Sequence, residues 1–301
     1  MFVIMGATGN TGRSTCKTLL NAGEPVRAVG RNVERLADLG RSGALLAVAD
    51  SLDSAALTEA FASADAVYCM IGIDPTVADY DAHYDAISEA IVVAILAAGV
   101  SHVVNLSGLG SHLPAATTRT MGGIDAGRRH EERLNTMTAV NIAHLRPGFF
   151  FENYLRDITA LKATGALRGA LAPGLPIPMV STRDIGARAA KLMQQRDFKG
   201  HVALDLLGPE DVAPRDAARI LGQAIGENSL DYVKISIAEF NAELQTAGVG
   251  TSCAEAIAGI YEGYNSGLLR PEAPRNAAST TPIGINSFAG IFAEAFGATH
   301  R

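Results

Sequence analysis

The sequence predicts an α/β fold, a Rossmann-type doubly wound parallel sheet with a smaller, mostly helical substrate lobe. Three observations carry this prediction. Short apolar runs bounded by turn residues alternate with segments of helical period, the pattern of successive βαβ units. The first of those runs breaks into a turn with glycines at Gly6, Gly9 and Gly12. The chain has 301 residues, 48% hydrophobic and 19% charged, which is enough apolar material for one large domain or two lobes with a full core.

Phe2 to Met5 is the first strand, a continuous apolar run suited to burial on both faces of a parallel sheet. The turn that follows, GATGNTG, places Thr8, Asn10 and Thr11 among its glycines. Each glycine has a reason: the first for a tight turn, the second for close approach to a pyrophosphate, the third for packing helix on strand. A helix from Thr11 to Ala22 stops at Gly23, and its N-terminus offers unpaired N–H groups and the positive end of a dipole to an anion.

Pro25 to Val29 is the second strand, ending in Gly30 and Arg31. A carboxylate at this position would bond the ribose 2′-hydroxyl of NAD. Arg31 instead offers a planar cation to the 2′-phosphate of NADP, and Asn32 a neutral donor. Ala44 to Val48 is the third strand, followed by Asp50 and Ser51, which meet the adenine edge or merely close a turn. Asp53 caps a helix running to about Phe61. Ala66 to Ile71 forms the fourth strand and leads into Gly72, where the backbone is expected to pass beneath the cofactor ribose.

A helix over about Ala82 to Ala98 precedes the fifth strand, Val103 to Leu106, which ends at Ser107. A loop of about fifteen residues follows, long enough to be functional. Next come a helix from about Ala126 to Met137 and a sixth strand, Val140 to Leu145, running into Arg146, Pro147, Gly148 and the triplet Phe149, Phe150, Phe151. Beyond this the texture changes. Ala163 to Pro178 is rich in Gly and Pro, Arg183 to Met193 is a helix capped by Ser181 or Thr182, and Val202 to Leu207 is a last strand. Gly208 to Asp211 opens a helix through Ala224, and Asp231 to Arg301 is largely helical with a loop at Leu268 to Thr281. Residues 1–152, rejoined by 182–225, are therefore expected to form the nucleotide domain, and 153–181 with 226–301 the smaller lobe.

The formal net charge of -6 provides no electrostatic footprint for nucleic acid, so direct contact with DNA or RNA is not expected. No apolar stretch spans a bilayer and no charged region precedes the first strand, so neither a membrane anchor nor a signal peptide is expected. The three cysteines, Cys16, Cys69 and Cys253, lack metal spacing, and no metal site is expected. A reducing cytoplasm suits them.

The GATGNTG turn, Arg31, LSGLGS at Leu106 to Ser111 and LRPGFFFEN at Leu145 to Asn153 together resemble the NmrA-like family, atypical short-chain dehydrogenase/reductase relatives that bind NADP(H). HEERLN at His130 to Asn135, IPMVSTRDIG at Ile177 to Gly186, LLGPED at Leu206 to Asp211 and TTP at Thr280 to Pro282 resemble its bacterial NAD(P)-binding, azoreductase-like branch. The resemblance covers nearly the whole chain and implies an oxidoreductase that acts on quinones, azo dyes or similar delocalised acceptors. The family also contains cofactor sensors that regulate protein partners without turnover.

One departure limits the chemistry carried over. The main dehydrogenase superfamily relays its proton through a Tyr-x-x-x-Lys pair. No tyrosine here has a lysine four positions on, and no lysine lies between Ser107 and Asn153. Where the aryl ether reductase branch carries a lysine, this chain shows Arg128, Arg129 and His130. His130 is the expected proton donor, its ordinary pKa lying near working pH, unless it is a solvated residue beside Glu131 and Glu132. Tyr84 and Ser107 are expected to orient the acceptor. Backbone and side chains from Ile71, Gly72, Ser107, Gly148 and Phe149 are expected around the cofactor, and Tyr84, Phe151 and Asn153 around an aromatic small-molecule acceptor. Three consecutive phenylalanines cannot all face one side, so at least one packs in the core.

Overall fold

The computed structural model describes residues 1–298. The nucleotide half alternates strand and helix from its first residues: β1 (Phe2–Ile4), α1 (Asn10–Asn21), β2 (Val26–Gly30), α2 (Ala37–Arg41), β3 (Leu45–Val48), α3 (Ser54–Phe61), β4 (Ala66–Cys69), α4 (Tyr80–Ala97) and β5 (His102–Leu106). A short α5 (Ala115–Thr118) and then α6 (Gly123–Leu134) lead to β6 (Asn141–Pro147). The chain leaves the sheet through β7 (Phe149–Phe150), α7 (Asn153–Arg156), α8 (Ile158–Thr164), β8 (Leu167–Gly169) and β9 (Ile177–Val180). It returns with α9 (Thr182–Gln195) and β10 (His201–Leu206). Then come β11 (Asp211–Val212), α10 (Pro214–Ile225), β12 (Tyr232–Lys234), α11 (Ile237–Thr246), α12 (Thr251–Asn265) and α13 (Ile285–Ala298). Residues 299–301 of the expected helical tail lie outside the described residues.

Seven strands form one sheet in the order β10-β6-β5-β4-β1-β2-β3, every pair parallel. Parallel pairing requires a crossover after each strand, and the helices so placed cover both faces with two apolar layers. One layer packs Ile4, Cys16, Leu19, Tyr68 and Ile185; the other packs Val3, Leu57, Phe61, Ile91 and Ile95. Burying each such Leu, Ile or Phe contributes roughly 1.5–3 kcal/mol, which explains the continuous apolar runs. The winding reverses at β1, which lies between β4 and β2. That switch point opens a crevice beyond the carboxyl ends of these strands.

Caps fall where the side-chain chemistry calls for them. Asp53 accepts from the N–H groups of Ala55 and Ala56, and Ser181 accepts from Arg183 N. The segment opening at Gly208 was expected to enter a helix directly. Instead Asp211 and Val212 pair antiparallel with Pro178 and Ile177 before Pro214 starts α10. The stretch 182–225, assigned by the sequence to the nucleotide domain, divides by packing. The residues of α9 lie in the sheet core, whereas Ala217, Ala218 and Leu221 of α10 join Phe288 and Phe292 of α13 in a third apolar cluster. Besides its helices, that part of the chain carries a three-stranded sheet, β11-β9-β7, and a two-stranded one, β12-β8.

Candidate functional site

The turn after β1 is held by backbone geometry. Gly6 has φ +66, a left-handed conformation that side chains disfavour, and its carbonyl accepts from Gly9 N at 2.9 Å. A Cβ on Gly12 would stand 2.4 Å from Gly6 O, so only glycine lets α1 pack so close to the turn. Gly9 occupies the N-cap of α1 with no side-chain cap, and the first turn holds no acidic residue. The leading N–H groups and the dipole end are thus left for an anion from outside.

A cleft opens at this point. Gly6, Thr8, Gly9, Arg31, Ser51 and Gly72 line it, as do Asp74 and His83. The uncapped N-terminus, the bare Gly9 backbone and the Arg31 cation suit the pyrophosphate and a further phosphate of a dinucleotide. The other residues expected to contact cofactor are placed as follows. Thr11 is buried, with its hydroxyl accepting from Tyr68 at 3.0 Å, so it braces the turn from within. Asn10 is exposed on the first turn of α1. The Asn32 amide oxygen accepts from Arg35 N, which leaves only its NH2 group to donate. Asp50 accepts from Leu52 N through Oδ1 at 2.9 Å. Ile71 packs against apolar side chains beneath the loop. Gly148 has its α-carbon face against Pro178, where a Cβ would come within 2.4 Å of the carbonyl oxygen.

Farther along the carboxyl edge, Ser107 donates to Ser111 Oγ at 3.0 Å. The face of α6 opposite it presents Gly127, whose added Cβ would lie 3.8 Å from Ser107 Oγ, and one turn on Glu131. This i, i+4 pair faces Ser107 with no phenol and no amine. Glu131 is buried and takes Arg146 in a two-pronged bond, 2.9 Å from Nε and 2.5 Å from Nη2. Burial works to raise the Glu131 pKa, but the Arg146 bonds and charge outweigh it and hold the carboxyl below its usual range.

Two expectations are corrected by burial. His130 is 1% exposed, so it is not a solvated helix residue. Its Nδ1 lies 2.6 Å from Ser88 Oγ. Burial, with the nearby His144 and Arg133, pushes its pKa down to about 3, which removes the premise for a proton donor at neutral pH. Phe151 is fully buried and stacks on Phe288 at 5.5 Å, so it is a core residue and cannot line an acceptor site. Phe149 meets Tyr261 and Tyr264 edge-on at 5.7 and 5.8 Å. Tyr84 is buried beside Tyr80 and His130, and burial raises its phenol well above the ordinary value. Asn153 accepts from the Arg156 guanidinium within α7. Its neighbour Glu152, which the sequence did not single out, accepts from Ser181 Oγ and Thr182 N and ties β7 to the start of α9. Among the described residues no cluster of His, Cys, Asp and Glu is arranged to hold a metal, and no helix is long and apolar enough to cross a membrane.

Residues 6–197 match the family described as NAD(P)H-binding. The chain belongs to this NAD(P)H-binding family. It is 31% identical over 226 residues, 75% of its own length and 74% of the other's, to a (4-alkanoyl-5-oxo-2,5-dihydrofuran-3-yl)methyl phosphate reductase of Streptomyces griseus. Along 99% of its length it is 26% identical to the whole of an NAD(P)H azoreductase of Xenophilus azovorans. Its fold superposes on the NADPH-dependent quinone oxidoreductase of Escherichia coli, solved with NADPH, with a TM-score of 0.75 at 23% identity and full coverage of both chains. The resemblance to NmrA-like proteins that the motifs carried is thereby borne out, and so is the doubly wound fold.

Proposed function

We propose that the protein is an NADP(H)-dependent reductase of delocalised aromatic acceptors, of the quinone or azo class. The observation that carries this reading is a pairing of two places along the carboxyl edge of one parallel sheet. One offers an uncapped helix N-terminus and Arg31 for phosphates, and the other offers Ser107 facing Gly127 and an ion-paired Glu131. When bound, the nicotinamide supplies the hydride. The chain's own residues bind and orient. Gly6 and Gly9 admit the pyrophosphate, Arg31 takes the 2′-phosphate, and Gly148 and Phe149 present backbone and ring near the end of β6.

His130, Tyr84 and Glu131 supply no labile acid at that end. His130 is neutral, Tyr84 keeps its proton, and Glu131 is ionised against Arg146. A simple carbonyl needs a proton as the hydride arrives, whereas a quinone or azo group spreads the incoming charge and takes its proton from water. The azoreductase and quinone oxidoreductase relatives support the same class of acceptor.

The test is loss of NADPH absorbance with a panel of quinones, azo dyes and aldehydes. Turnover confined to the delocalised acceptors is expected. Equal turnover of aldehydes would overturn the assignment, and tight cofactor binding without any turnover would make the protein a redox sensor instead.

A further inference from the structure

We propose that Asp74 sets the cofactor preference of the cleft by competing with the 2′-phosphate for the Arg31 guanidinium. The inference rests on the assignment of Arg31 to that phosphate and goes one residue further.

Arg31 leaves the end of β2, and Asp74 stands in the loop after β4. In the sheet these strands flank β1 on opposite sides, so a bond between the two residues passes over the glycine turn. Such a bond is present: Arg31 Nη1 lies 3.5 Å from Asp74 Oδ2. Among the described residues lining the cleft, Asp74 is the one carboxylate and Arg31 the one guanidinium. The pair therefore draws the cation across the crevice toward the β4 side.

The two partners are not equally free to move. Asp74 is fixed by its own turn, accepting from Thr76 N at 3.0 Å and Thr76 Oγ1 at 2.7 Å. The loop is also tied to the start of α12, through Gly250 N to Pro75 O at 2.7 Å and Tyr80 N to Ser252 Oγ at 3.0 Å. Arg31 is 66% exposed at its side chain and makes no other ion pair among the described residues. When a phosphate is offered, the guanidinium must swing and the carboxylate stays. A two-pronged phosphate contact is stronger than one exposed ion pair, so NADP wins the cation but loses the worth of the pair. NAD, with no 2′-phosphate, leaves the pair intact.

Asp74→Asn keeps the oxygen that accepts from Thr76 and removes the charge. Dissociation constants for NADP and NAD, measured by calorimetry, are compared in four proteins: wild type, D74N, R31A and the double variant. Removing the competitor is expected to raise the preference for NADP over NAD about threefold to fivefold, the equilibrium worth of an exposed pair. In the R31A background D74N is expected to leave that preference unchanged. A D74N protein that binds NADP more weakly would overturn the proposal, because Asp74 would then be presenting Arg31 to the phosphate. An equal gain in both backgrounds would also overturn it, the effect being simple charge repulsion. The underlying assignment is read separately: R31A must weaken NADP and spare NAD, and if it weakens both alike the 2′-phosphate assignment itself has failed. Thermal unfolding of each variant without cofactor confirms that the loop still folds.

Discussion

Adding one methyl group at Gly9 and one at Gly12 should have opposite consequences, and the difference separates packing from binding. A Cβ on Gly12 would lie 2.4 Å from Gly6 O, 2.8 Å from Gly6 C and 3.2 Å from Ala7 Cα. All three are backbone atoms of the turn, so relief requires α1 to move off the strand. Overpacking of this kind costs about 1–3 kcal/mol. A Cβ on Gly9 meets only Gly6 O, at 3.4 Å, and the residue has φ -85, which any side chain adopts. Gly9→Ala therefore leaves stability within about 0.5 kcal/mol, the range of substitutions that disturb no packing. Its methyl projects into the cleft, where the pyrophosphate must approach the N–H groups of α1, and a blocked approach costs at least tenfold in affinity, about 1.4 kcal/mol. Urea unfolding and calorimetric titration with NADPH are measured on both variants. Gly12→Ala should lose stability, and Gly9→Ala should lose binding with wild-type stability. A Gly9→Ala protein that binds NADPH normally would show that the phosphates do not lie on this turn.

Phe151→Ala should cost about 3–5 kcal/mol in urea unfolding, the price of emptying a buried aromatic site, while leaving the acceptor KM of any surviving folded enzyme unchanged. Glu131→Ala leaves the Arg146 guanidinium with only the exposed Glu272 and should cost up to about 3–5 kcal/mol, whereas replacing both residues with apolar ones of similar size should cost much less than the two single changes together. Acid should destabilise the protein early. His130 falls from 6.5 to about 3 and His144 from 6.5 to about 4, both chiefly through burial. Below pH 6.5 the unfolded chain therefore binds protons that the native one refuses, and stability falls as pH drops toward 4. The slope approaches about 1.4 kcal/mol per pH unit for each histidine. His130→Gln should flatten that slope in unfolding curves taken between pH 7 and 4, and an unchanged slope would refute the assignment.

The parts of the site that were legible in the sequence are those where a local backbone constraint selects a residue type. Gly6 and Gly12 report a tight turn and a close helix because no side chain fits there, Gly9 reports a backbone left bare at a helix start, and the strand before them reports its burial by being wholly apolar. Arg31 was legible because it follows a strand end at the position where a carboxylate would otherwise stand. Asp74 was not, since its partnership with Arg31 depends on the order β4-β1-β2, which brings distant loops together. His130 was misjudged because its sequence neighbours are charged. On a helix the relevant neighbours are three and four residues away, and Ala126, Gly127 and Leu134 are all buried with it. That stripe was the available signal. Phe149 and Phe151 are chemically identical in the sequence and both enter the same apolar cluster; only their tertiary partners, Tyr261 and Tyr264 for the one and Phe288 of α13 for the other, tell them apart.

The buried polar groups near Ser107 are coupled through α6, and their coupling explains why they supply no acid. Gly127 puts no side chain toward Ser107, a Cβ there already lying 3.0 Å from Ser111 Oγ, and Glu131, one turn on, needs a cation to be buried at all. Arg146 supplies it from β6 and also reaches Glu272 at 3.1 Å, so the pair fastens α6 to the sheet and to the loop before α13. A lysine placed at position 131 would face Arg146 and repel it in a site with little water. Restoring a relay by Gly127→Tyr and Glu131→Lys alone should therefore fail, with loss of stability and no gain in aldehyde reduction. If the two-residue change instead folds normally and reduces aldehydes, the ion pair is not what keeps the relay out.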